Sequence, residues 1–425
     1  MPEIMLPYGH GTVRCSIPCH RFRGEVVSRL NHYAAGGSQE ELVREALENP
    51  IGTPRLSVMA EGKRNIVLIA SDHTRPVPSK IIIPQMLAEL RKGSPDAEIT
   101  ILIATGCHRE TTLDELHDKF GPSVMASERI VVHDCDSPDM TYMGKLPSGG
   151  GFSLNRIAAE ADLLVAEGFI EPHFFAGFSG GRKSVLPGIA NREAVLYNHN
   201  AEFIAHSRSR AGVTEGNPIH NDMLYAGHAA RLRFICNVVI NSDKDIVYAV
   251  AGDCDLAHKD GREFLAELCT AKRIPADIVI STNGGYPLDR DIYQAVKGMT
   301  AGEACVNPGG VIIMLAQSAD GHGAPEFYKT FRKEKDLVRM TEAFLNTPKE
   351  HTRADQWQSQ IFARVLRHAR VIYVSDAPDE IVRDLHMVPS RSVQEALRVA
   401  ERMLGDPGAG VAVVRDGVGV IINGD

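Results

Sequence analysis

Several features are missing from the 425-residue sequence, and each absence narrows its class. The apolar runs, such as residues 66–70, are far shorter than the roughly 20 residues that a membrane-spanning helix needs. The eight cysteines are too sparse for a disulfide framework and include no Cys-x-x-Cys pair. Cys15, Cys19 and His20 have no second pair of ligands at the spacing of a zinc site. We therefore expect reduced thiols, no membrane segment and no zinc finger.

Positive charge does not dominate the composition. The 46 Lys and Arg residues are outnumbered by 54 Asp and Glu residues, which gives a formal net charge of −8. This balance excludes a broad basic surface for nucleic acid, although it is compatible with a local basic pocket. The N-terminus has no basic region followed by an apolar stretch, so no secretory signal is predicted and a cytoplasmic location is expected.

Several common enzyme signatures are absent or misplaced. No Gly-x-Gly-x-x-Gly follows a predicted strand, which argues against an ordinary dinucleotide site, and no His-Glu-x-x-His occurs. Residues 177–181 match Gly-x-Ser-x-Gly in letters, but Ser179 is not at the strand-to-helix turn that a nucleophile elbow requires. A phosphate-binding loop of the usual kind fails as well, because Arg182 separates Gly181 from Lys183.

The order of apolar patterns predicts an α/β fold. Short β-branched runs alternate with segments of helical period, which is typical of largely parallel sheets. The predicted strands are 65–70, 98–104, 130–133, 162–167, 234–240, 246–251, 277–281, 311–316, 371–375 and 411–415, and the clearest helices are 79–92, 112–120, 191–199 and 256–272.

The chain length predicts two or three domains of about 150 residues each, and the pattern places one boundary near 273–276. There a long helix ends in basic residues before Pro275. We expect two domains with largely parallel or mixed sheets: residues 1–273, rejoined by 405–425, and residues 276–400. The active site is expected in the interdomain cleft.

Polar residues are concentrated directly after the predicted strands, where ligands bind in open parallel sheets. Asp72 and Arg75 follow the strand 65–70. The guanidinium of Arg75 suits a carboxylate or a phosphate, and a local Asp–Arg pair would explain the two residues equally well. His108 follows the strand 98–104 at a strand-to-helix turn, a common place for a catalytic base, and a solvated loop histidine is the alternative.

The richest segment, residues 168–184, follows the strand 162–167. Its Gly-Gly-Arg-Lys run, which includes Arg182 and Lys183, could cradle an anion. The aromatic residues around His173 indicate a dry pocket in which a lysine amine can act as a nucleophile, although simple hydrophobic packing explains the phenylalanines too. His199, on the next predicted helix, is a candidate metal ligand.

A second cationic group is predicted after the strand 277–281. Asp289 is a candidate N-cap, and Tyr293 and Lys297 then share one face of the following helix. Lys297 could meet Arg75 across the cleft, whereas the alternative is a surface helix with a solvated lysine.

These segments resemble the nickel-dependent lactate racemase family. The resemblance rests on SDHTRPVP at 71–78, TGCH at 105–108, EGFIEPHFFAGFSGGRKSVLPGIA at 167–190, NH at 198–199, STNGGYPLDRDIYQAVKGMTA at 281–301 and DQW at 355–357. It runs nearly end to end, from LPYG at 6–9 to DGVGVII at 416–422. It implies a racemase or epimerase of small 2-hydroxy acids, either of the lactate type or acting on a larger acid such as malate.

The resemblance also implies a cofactor and its contacts. The cofactor is a nickel-pincer nucleotide, a pyridinium-3-thioamide-5-thiocarboxylic acid mononucleotide with bound nickel, covalently attached to Lys183. By position, His199 completes the square-planar nickel, a geometry that suits Ni(II). The further cofactor-binding positions that match are Asp72, Gly180, Gly181, Tyr293, Gln294 and Trp357.

The implied reaction assigns the remaining residues. His108 and His173 match the acid/base pair, and Arg75 and Lys297 match the groups that hold the substrate carboxylate. One base removes the hydroxyl proton while the α-hydrogen leaves as hydride to the cofactor, which gives a 2-keto acid, and the hydride then returns to the opposite face. Proteins that synthesise and insert the cofactor are implied as partners.

Two other classes stay open on the residues alone. One is a nicotinamide-dependent 2-hydroxyacid dehydrogenase, against which the missing dinucleotide fingerprint argues. The other is a non-catalytic binding protein of the same fold, against which the intact set of histidines and Lys183 argues.

One departure from the family bears on the substrate. Cys107 stands where a bulky aromatic residue is expected, and a smaller side chain would widen the pocket for a longer or more polar acid. Arg208 and Arg210 add positive charge to the segment 206–210 that could serve a second carboxylate. The alternatives are core packing of Cys107 and a solvated arginine loop.

Overall fold

The computed structural model describes residues 3–424, which fold as two compact units. The central unit comprises Leu30–His199 and His206–Glu267, and the terminal unit comprises Met1–Arg29, Asn200–Ala205 and Leu268–Asp425. The predicted α/β class of two domains with largely parallel sheets is confirmed. None of the helices described between residues 3 and 424 has the length and apolarity of a membrane span.

The described strands are β1 (Glu3–Tyr8), β2 (Gly11–Ser16), β3 (Phe22–Val26), β4 (Asn65–Ser71), β5 (Glu98–Ala104), β6 (Arg129–Val132), β7 (Met140–Lys145), β8 (Gly151–Asn155), β9 (Leu163–Phe169), β10 (Pro172–His173), β11 (Gly177–Phe178), β12 (Leu232–Ile240), β13 (Ile246–Gly252), β14 (Thr270–Lys272), β15 (Ala276–Thr282), β16 (Val306–Leu315), β17 (Arg370–Val374), β18 (Val388–Ser390), β19 (Val411–Val414) and β20 (Ile421–Asn423). The described α-helices are α1 (Gln39–Glu48), α2 (Leu56–Ala60), α3 (Ser79–Gly93), α4 (Leu113–Ser127), α5 (Arg156–Ala159), α6 (Arg192–Asn198), α7 (Ala201–Ala205), α8 (Pro218–Ala229), α9 (Leu256–Cys269), α10 (Ile292–Cys305), α11 (Pro325–Lys333), α12 (Leu337–Leu345), α13 (Gln356–His368), α14 (Asp379–Asp384) and α15 (Val393–Leu404). Short 3₁₀ helices lie at Leu30–His32, Gly181–Ser184 and Lys349–His351.

The central unit is built on a six-stranded sheet in the order β13-β12-β9-β4-β5-β6. Its neighbouring strands are parallel except for β12 and β13, which are antiparallel. Every residue of β9 is buried, as continuous apolar strands of parallel sheets usually are. Ile66 and Leu68 of β4 share one hydrophobic core with Val43 of α1, Met86 of α3 and Phe120 of α4.

The start of α4 follows its local sequence. The Thr112 side chain accepts from the Glu115 backbone N–H, and the Glu115 side chain accepts from the Thr112 backbone N–H, which forms a capping box. The helix was predicted to end at residue 120, and there the backbone kinks at Gly121, whose φ is +76°. Pro122 then begins a further helical stretch that extends to Ser127.

The terminal unit contains a six-stranded parallel sheet in the order β18-β17-β16-β15-β19-β3. Its core joins Ile280 of β15, Ile313 of β16 and Ile372 of β17 to Val393 and Leu397 of α15. The parallel order requires a crossover between neighbouring strands, and helices such as α10 and α13 supply it.

The structure corrects the predicted domain limits of 1–273 and 276–400. Residues 405–425 do not rejoin the first domain, because β19 pairs with β15 and β3 in the terminal sheet and β20 pairs with β14. Residues 3–29 also belong to the terminal unit, which removes them from the predicted N-terminal domain. Long-range pairing of this kind leaves no local pattern in the sequence.

The end of the helix predicted over 256–272 also changes. This helix, α9, ends at Cys269, and the next three residues form β14, which pairs with β20 in parallel. The unit boundary accordingly falls at Leu268, a few residues before the predicted position.

Candidate active site

Three neighbouring strands of the central sheet bring the predicted acid/base segments to one edge. β9, β4 and β5 are adjacent and parallel, so their carboxyl ends lie side by side. Asp72 follows β4, His108 comes shortly after β5, and His173 lies in β10, shortly after β9. The sheet thus collects residues that are far apart in the sequence at the edge where open parallel sheets bind ligands.

Asp72 holds the imidazole of His108. His108 Nδ1 donates to Asp72 Oδ2 at 2.7 Å, and the aspartate is only 2% exposed. Burial raises the pKa of Asp72, but the hydrogen bond and charge of His108, with Arg75 and Thr74, outweigh it and hold the pKa well below its usual value. An ionised Asp72 fixes a proton on Nδ1 of His108, so Nε2 is the ring nitrogen left for proton transfer.

Thr74 and Arg75 complete the turn after β4. The Thr74 hydroxyl donates to Asp72 Oδ1 at 2.6 Å, and the Arg75 guanidinium donates to the Thr74 hydroxyl at 3.2 Å. Lys119 Nζ donates to the Arg75 carbonyl at 3.4 Å. Within residues 3–424, no direct ion pair joins Arg75 to Asp72, which was the alternative considered from the sequence. The guanidinium is instead linked to Asp72 through the Thr74 hydroxyl.

A second group of site residues surrounds the ring of Phe175. The His173 ring meets the Phe175 ring edge-on with 4.5 Å between centroids, and the His199 ring does so at 5.2 Å. Lys183 Nζ lies 5.9 Å from the centroid of the same ring. The structure therefore brings His173, Lys183 and His199 together on one buried aromatic side chain.

His199 is held as a neutral imidazole. It is 5% exposed at the end of α6, and its Nδ1 donates to the Val195 carbonyl at 3.0 Å. Burial, followed by the positive charge of Lys183, lowers the pKa of His199 to about 3. A neutral ring with its proton fixed on Nδ1 is the form in which histidine ligates metals through Nε2.

His173 is oriented by the backbone of its own loop. It pairs with Gly177 in the short hairpin of β10 and β11, and the Ala176 backbone N–H donates to His173 Nδ1 at 3.3 Å. The two histidines therefore have different supports, because a carboxylate holds His108 and a backbone amide holds His173.

The anion-binding role predicted for Arg182 is wrong. Arg182 is 1% exposed and donates to the carbonyl groups of Ala176 and Phe178 at 3.0 Å each, so it ties the loop together from within. Burial lowers the pKa of Arg182 to about 9. The Gly181 backbone N–H is also used internally, since it donates to Asn237 Oδ1 at 2.8 Å.

Gly180 and Gly181 are required by the packing of this loop. Their φ angles are +77° and +54°, in the left-handed region that favours glycine. A Cβ atom on Gly180 would lie 2.8 Å from Asn237 Oδ1, and one on Gly181 would lie 2.8 Å from His258 Cγ. Both positions therefore require glycine for the backbone conformation that leads into Lys183.

Glu167 supports the site and was not identified from the sequence. It lies near the end of β9 and is 2% exposed. Its Oε1 accepts from the Ser71 backbone N–H at 2.9 Å, the Ser71 hydroxyl at 2.8 Å and the Ser79 hydroxyl at 3.2 Å. It thereby ties the end of β4 to the start of α3. A charged residue inside an otherwise apolar strand was the signal that could have found it.

The terminal unit carries the other predicted residues. Tyr293, Gln294 and Lys297 lie on α10, and Trp357 lies on α13. Asp291, rather than the predicted Asp289, caps α10 by accepting from the Gln294 backbone N–H at 2.7 Å.

Tyr293 and Trp357 are brought together within this unit. The Tyr293 hydroxyl donates to Asp355 Oδ1 at 2.8 Å and is also hydrogen bonded to the Trp357 side chain. Burial and the charge of Asp355 raise the pKa of Tyr293 well above its ordinary value, so the phenol is neutral. Gln358 fastens α13 to α10 by donating to the Tyr293 carbonyl.

Cys107 and Arg210, which the sequence linked to a larger substrate, both have partners close to them in the structure. Cys107 Sγ lies 3.8 Å from Cys135 Sγ. The Arg210 guanidinium donates to the carbonyl groups of Ser209 at 2.8 Å and His206 at 3.3 Å, within its own loop. Arg210 is therefore fastened to its own segment, which favours the local role over binding of a second carboxylate.

Fold and site together define an α/β enzyme with histidines placed for acid–base chemistry. Residues 8–212 match the family model of the lactate racemase N-terminal domain, and residues 271–422 match that of the lactate racemase C-terminal domain. The chain belongs to the lactate racemase family, and it is an isomerase. This result favours the implied racemase over the dehydrogenase and the non-catalytic binding protein.

Relatives and solved structures agree with the assignment. The chain is 51% identical over 424 residues to the lactate racemase of Thermoanaerobacterium thermosaccharolyticum, covering 99% of both chains. It is 49% identical to the lactate racemase of Lactiplantibacillus plantarum, over 99% of this chain and 100% of that protein. The lactate racemase apoprotein structure from T. thermosaccharolyticum matches with a TM-score of 0.96, at 50% identity and full coverage of both chains. A protein from Thermotoga maritima shares the fold at a TM-score of 0.64 and 18% identity, over 92% of this chain and 100% of that one.

Proposed function

We propose that this chain interconverts the two enantiomers of a small 2-hydroxy acid, with lactate as its substrate. The observation that carries the proposal is the 2.7 Å hydrogen bond between His108 Nδ1 and Asp72 Oδ2. It holds the proton of the His108 ring on Nδ1 and leaves Nε2 to take a proton, and the substrate hydroxyl must lose its proton as its carbon is oxidised. The relatives named lactate racemase, at 51% and 49% identity over nearly the whole chain, support lactate as the substrate.

His108 and His173 are the proposed acid/base groups. His108 Nε2 removes the hydroxyl proton of one enantiomer, and Asp72 stabilises the imidazolium that forms. His173 does the same for the other enantiomer. Two bases are needed because inversion of the carbon moves the hydroxyl group to the other side of the substrate. We therefore assign Asp72 to the positioning of His108 rather than to the cofactor.

Arg75 and Lys297 are the proposed contacts of the substrate carboxylate. Arg75 lies in the turn that also carries Asp72, and its planar guanidinium can make two parallel hydrogen bonds to a carboxylate. Lys297, on α10, supplies a second positive charge. Fixed cations keep the carboxylate in place while the reacting carbon becomes planar and until the oxygen attached to it is protonated again.

The residues around Phe175 fit a nickel-pincer nucleotide. Lys183 offers an amine for the covalent link, and His199 offers a neutral imidazole whose Nδ1 proton is held by the Val195 carbonyl. The pKa of about 3 keeps His199 in the form that ligates nickel throughout the physiological pH range. The chemistry that such a cofactor would supply there is reversible acceptance of the α-hydrogen as hydride.

Further cofactor contacts are proposed in both units. Gly180 and Gly181 allow the tight backbone that presents Lys183, and Tyr293, Gln294 and Trp357 contribute from the terminal unit. Because the nucleotide must be made and attached, the proposal also includes partner proteins that synthesise and insert it.

Alanine substitution of the two histidines tests the proposal. With the chain produced alongside the cofactor-synthesis proteins, His108→Ala and His173→Ala should each lose racemisation of L-lactate by about 100-fold or more, because each removes a required proton-transfer group. Nickel content should stay at the wild-type level, since neither residue is a proposed ligand. His117→Ala, at an exposed histidine of the same unit, is the control and should keep full activity.

Two results would count against these roles. Substantial turnover by either histidine variant would refute the two-base scheme, and loss of nickel from both would show that they hold the cofactor instead. The same assay with D-malate tests the hypothesis that Cys107 widens the substrate pocket. A clear preference for lactate over D-malate would contradict that hypothesis.

A further inference from the structure

Cys107 and Cys135 form a pair of thiols beside the proposed base. Their sulfur atoms are 3.8 Å apart and share a hydrogen bond. Cys107 lies in the loop after β5 and directly precedes His108, whereas Cys135 lies in the loop after β6. The two loops run side by side, because the Thr105 hydroxyl donates to the His133 carbonyl at 2.6 Å.

The surroundings divide the two thiols into a nucleophile and a partner. When Cys135 is deprotonated, Cys107 can donate its S–H to the thiolate, and this hydrogen bond lowers the pKa of Cys135 although burial opposes it. The charge of Arg192 acts in the same direction. The same contact, followed by burial, raises the pKa of Cys107. Arg192 lowers the pKa of Cys107 as well, so its charge favours ionisation of the pair, while the shared hydrogen bond favours Cys135 as the thiolate.

Arg192 is held in place for this role. Its Nε donates to Asp136 Oδ1 at 2.7 Å and its guanidinium NH₂ donates to Asp136 Oδ2 at 2.6 Å. The carboxylate of Asp136 is therefore occupied by a two-point ion pair, which favours thiol chemistry at this cluster over binding of a cation. Cys107 is partly exposed and Cys135 is 6% exposed, so only a small oxidant can reach the pair.

We infer that Cys107 and Cys135 form a reversible disulfide when the protein is exposed to hydrogen peroxide, and that this disulfide prevents His108 from acting as a base. The Cys135 thiolate attacks one peroxide oxygen and breaks the O–O bond, and with one proton this gives a sulfenic acid and water. The Cys107 thiol then attacks the sulfenic sulfur, which forms the S–S bond and releases a second water. The two thiols together lose two electrons and two protons, and the peroxide is reduced to two molecules of water.

The disulfide changes the geometry at His108 because the two residues are adjacent in the chain. A disulfide needs its sulfur atoms at about 2.05 Å, so the 3.8 Å separation must close. Cys107 is pulled toward β6, away from the turn that carries Asp72, and the 2.7 Å contact between Asp72 and His108 is disturbed. Formation of the disulfide is independent of the proposed function, whereas its effect on racemisation rests on it.

The experiment is a thiol map combined with an activity assay on the cofactor-loaded protein. The protein is treated with stoichiometric hydrogen peroxide, its free thiols are alkylated, and its peptides are analysed by mass spectrometry. We expect a Cys107–Cys135 cross-linked peptide that lacks two hydrogen atoms. Racemisation should fall by roughly ten- to hundredfold, because a misplaced base loses most of its effect, and dithiothreitol should restore it.

Cysteine variants separate this effect from damage elsewhere. Cys135→Ser should show neither the cross-link nor the part of the inhibition that dithiothreitol reverses. Cys19→Ser, at an exposed cysteine, should behave as the wild type does. Alkylation of both Cys107 and Cys135 after peroxide treatment would overturn the inference, and so would a cross-linked protein with full activity. If the reduced protein does not racemise lactate, the proposed function fails, and the thiol map still decides whether the disulfide forms.

Discussion

The contact between Asp72 and His108 couples a buried charge to a proton-transfer group. Asp72 is 2% exposed, and its low pKa keeps it ionised throughout the neutral range. His108 lies next to the partly exposed Cys107, and its imidazole is 45% exposed, so it can meet a substrate while its other side faces a fixed anion. This division between a buried support and an accessible base is the arrangement that acid–base catalysis requires.

Asp72→Asn should lower kcat for lactate racemisation by about 100-fold while nickel binding is kept. Asparagine is nearly the same size, but it cannot stabilise the imidazolium, and its amide can present a donor to Nδ1 and so invert the tautomer. The loss should persist throughout the neutral range, because Asp72 is ionised there in the wild type and its carboxylate is the group removed. The measurement is kcat across a pH series.

Asp96→Asn is the matched control for this change. Asp96 is exposed in the same unit, so its variant should keep the wild-type rate and pH profile. An Asp72→Asn variant with an unchanged rate and profile would show that the aspartate does not support the base.

At the residue scale, the sequence identified both His108 and Asp72 as site residues but not the contact between them. A histidine directly after a buried strand is a local pattern, and it predicted a catalytic base. The hydrogen bond to Asp72 joins residues 36 positions apart, and only the adjacency of β4 and β5 makes it. Glu167 was missed for the same reason, since its partners Ser71 and Ser79 are far away in the chain.

At the scale of elements, the loop that carries Lys183 depends on two glycines. Gly181→Ala should lower the free energy of unfolding by about 2–4 kcal/mol, because it combines a left-handed φ with overpacking. Its φ is +54°, and a Cβ atom would lie 2.8 Å from His258 Cγ. Urea denaturation of the cofactor-free proteins measures the change.

Gly62→Ala separates the two causes. Gly62 has a φ of +70°, but nothing lies within 4 Å of its Cβ position, so its variant should lose only the 1–2 kcal/mol or so of the backbone cost. Equal losses in the two variants would show that the contact with His258 contributes nothing.

Regular elements were predicted well where the pattern was local. β5 occupies Glu98–Ala104 as predicted, and the capping box of Thr112 placed the start of α4. The end of α9 was missed because residues 270–272 leave the helix to pair with β20, which lies about 150 positions away in the sequence. A distant strand can override a local preference for helix without leaving a trace in that segment.

At the scale of the whole molecule, the same limit explains the domain assignment. The α/β class followed from β-branched runs that alternate with segments of helical period, and each of these patterns is local. The membership of β3 and β19 in one sheet did not, because Val26 and Val414 are paired across nearly the whole chain. The lactate racemase C-terminal domain model begins at residue 271, near the predicted boundary, but neither it nor the N-terminal model at 8–212 reports this exchange of the N-terminal segment.

Buried neutral histidines make the folded chain sensitive to acid. Burial lowers the pKa of His199 and His220 to about 3, and it lowers that of His258 well below the ordinary value. The unfolded chain titrates these groups near 6.5. Because the unfolded state binds more protons between these values, the free energy of unfolding should fall as the pH drops from about 6.5 toward 3.

His258→Gln should reduce this acid sensitivity. The variant removes one proton-binding difference, so the slope of unfolding free energy against pH should decrease by about 1.4 kcal/mol per pH unit in the acid range. Glutamine can keep a donor for the Ser179 carbonyl, which His258 Nε2 contacts at 2.7 Å. Urea denaturation at a series of pH values between about 4 and 7 measures the slope.

His117→Gln provides the comparison, since His117 is exposed in the same unit and its variant should keep the wild-type slope. An unchanged slope in His258→Gln would show that this histidine is not buried in its neutral form.

Nickel content and intact mass, measured on the same samples of wild type and Lys183→Ala, decide whether a covalent nickel nucleotide drives racemisation. The wild type, produced with the cofactor-synthesis proteins, should contain equimolar nickel, exceed its sequence mass by the nucleotide and racemise lactate. Lys183→Ala should have its sequence mass and no activity, whereas Lys145→Ala, at an exposed lysine, should match the wild type. A wild-type chain that racemises lactate at its bare sequence mass, or a Lys183→Ala chain that keeps the adduct, would contradict the proposal.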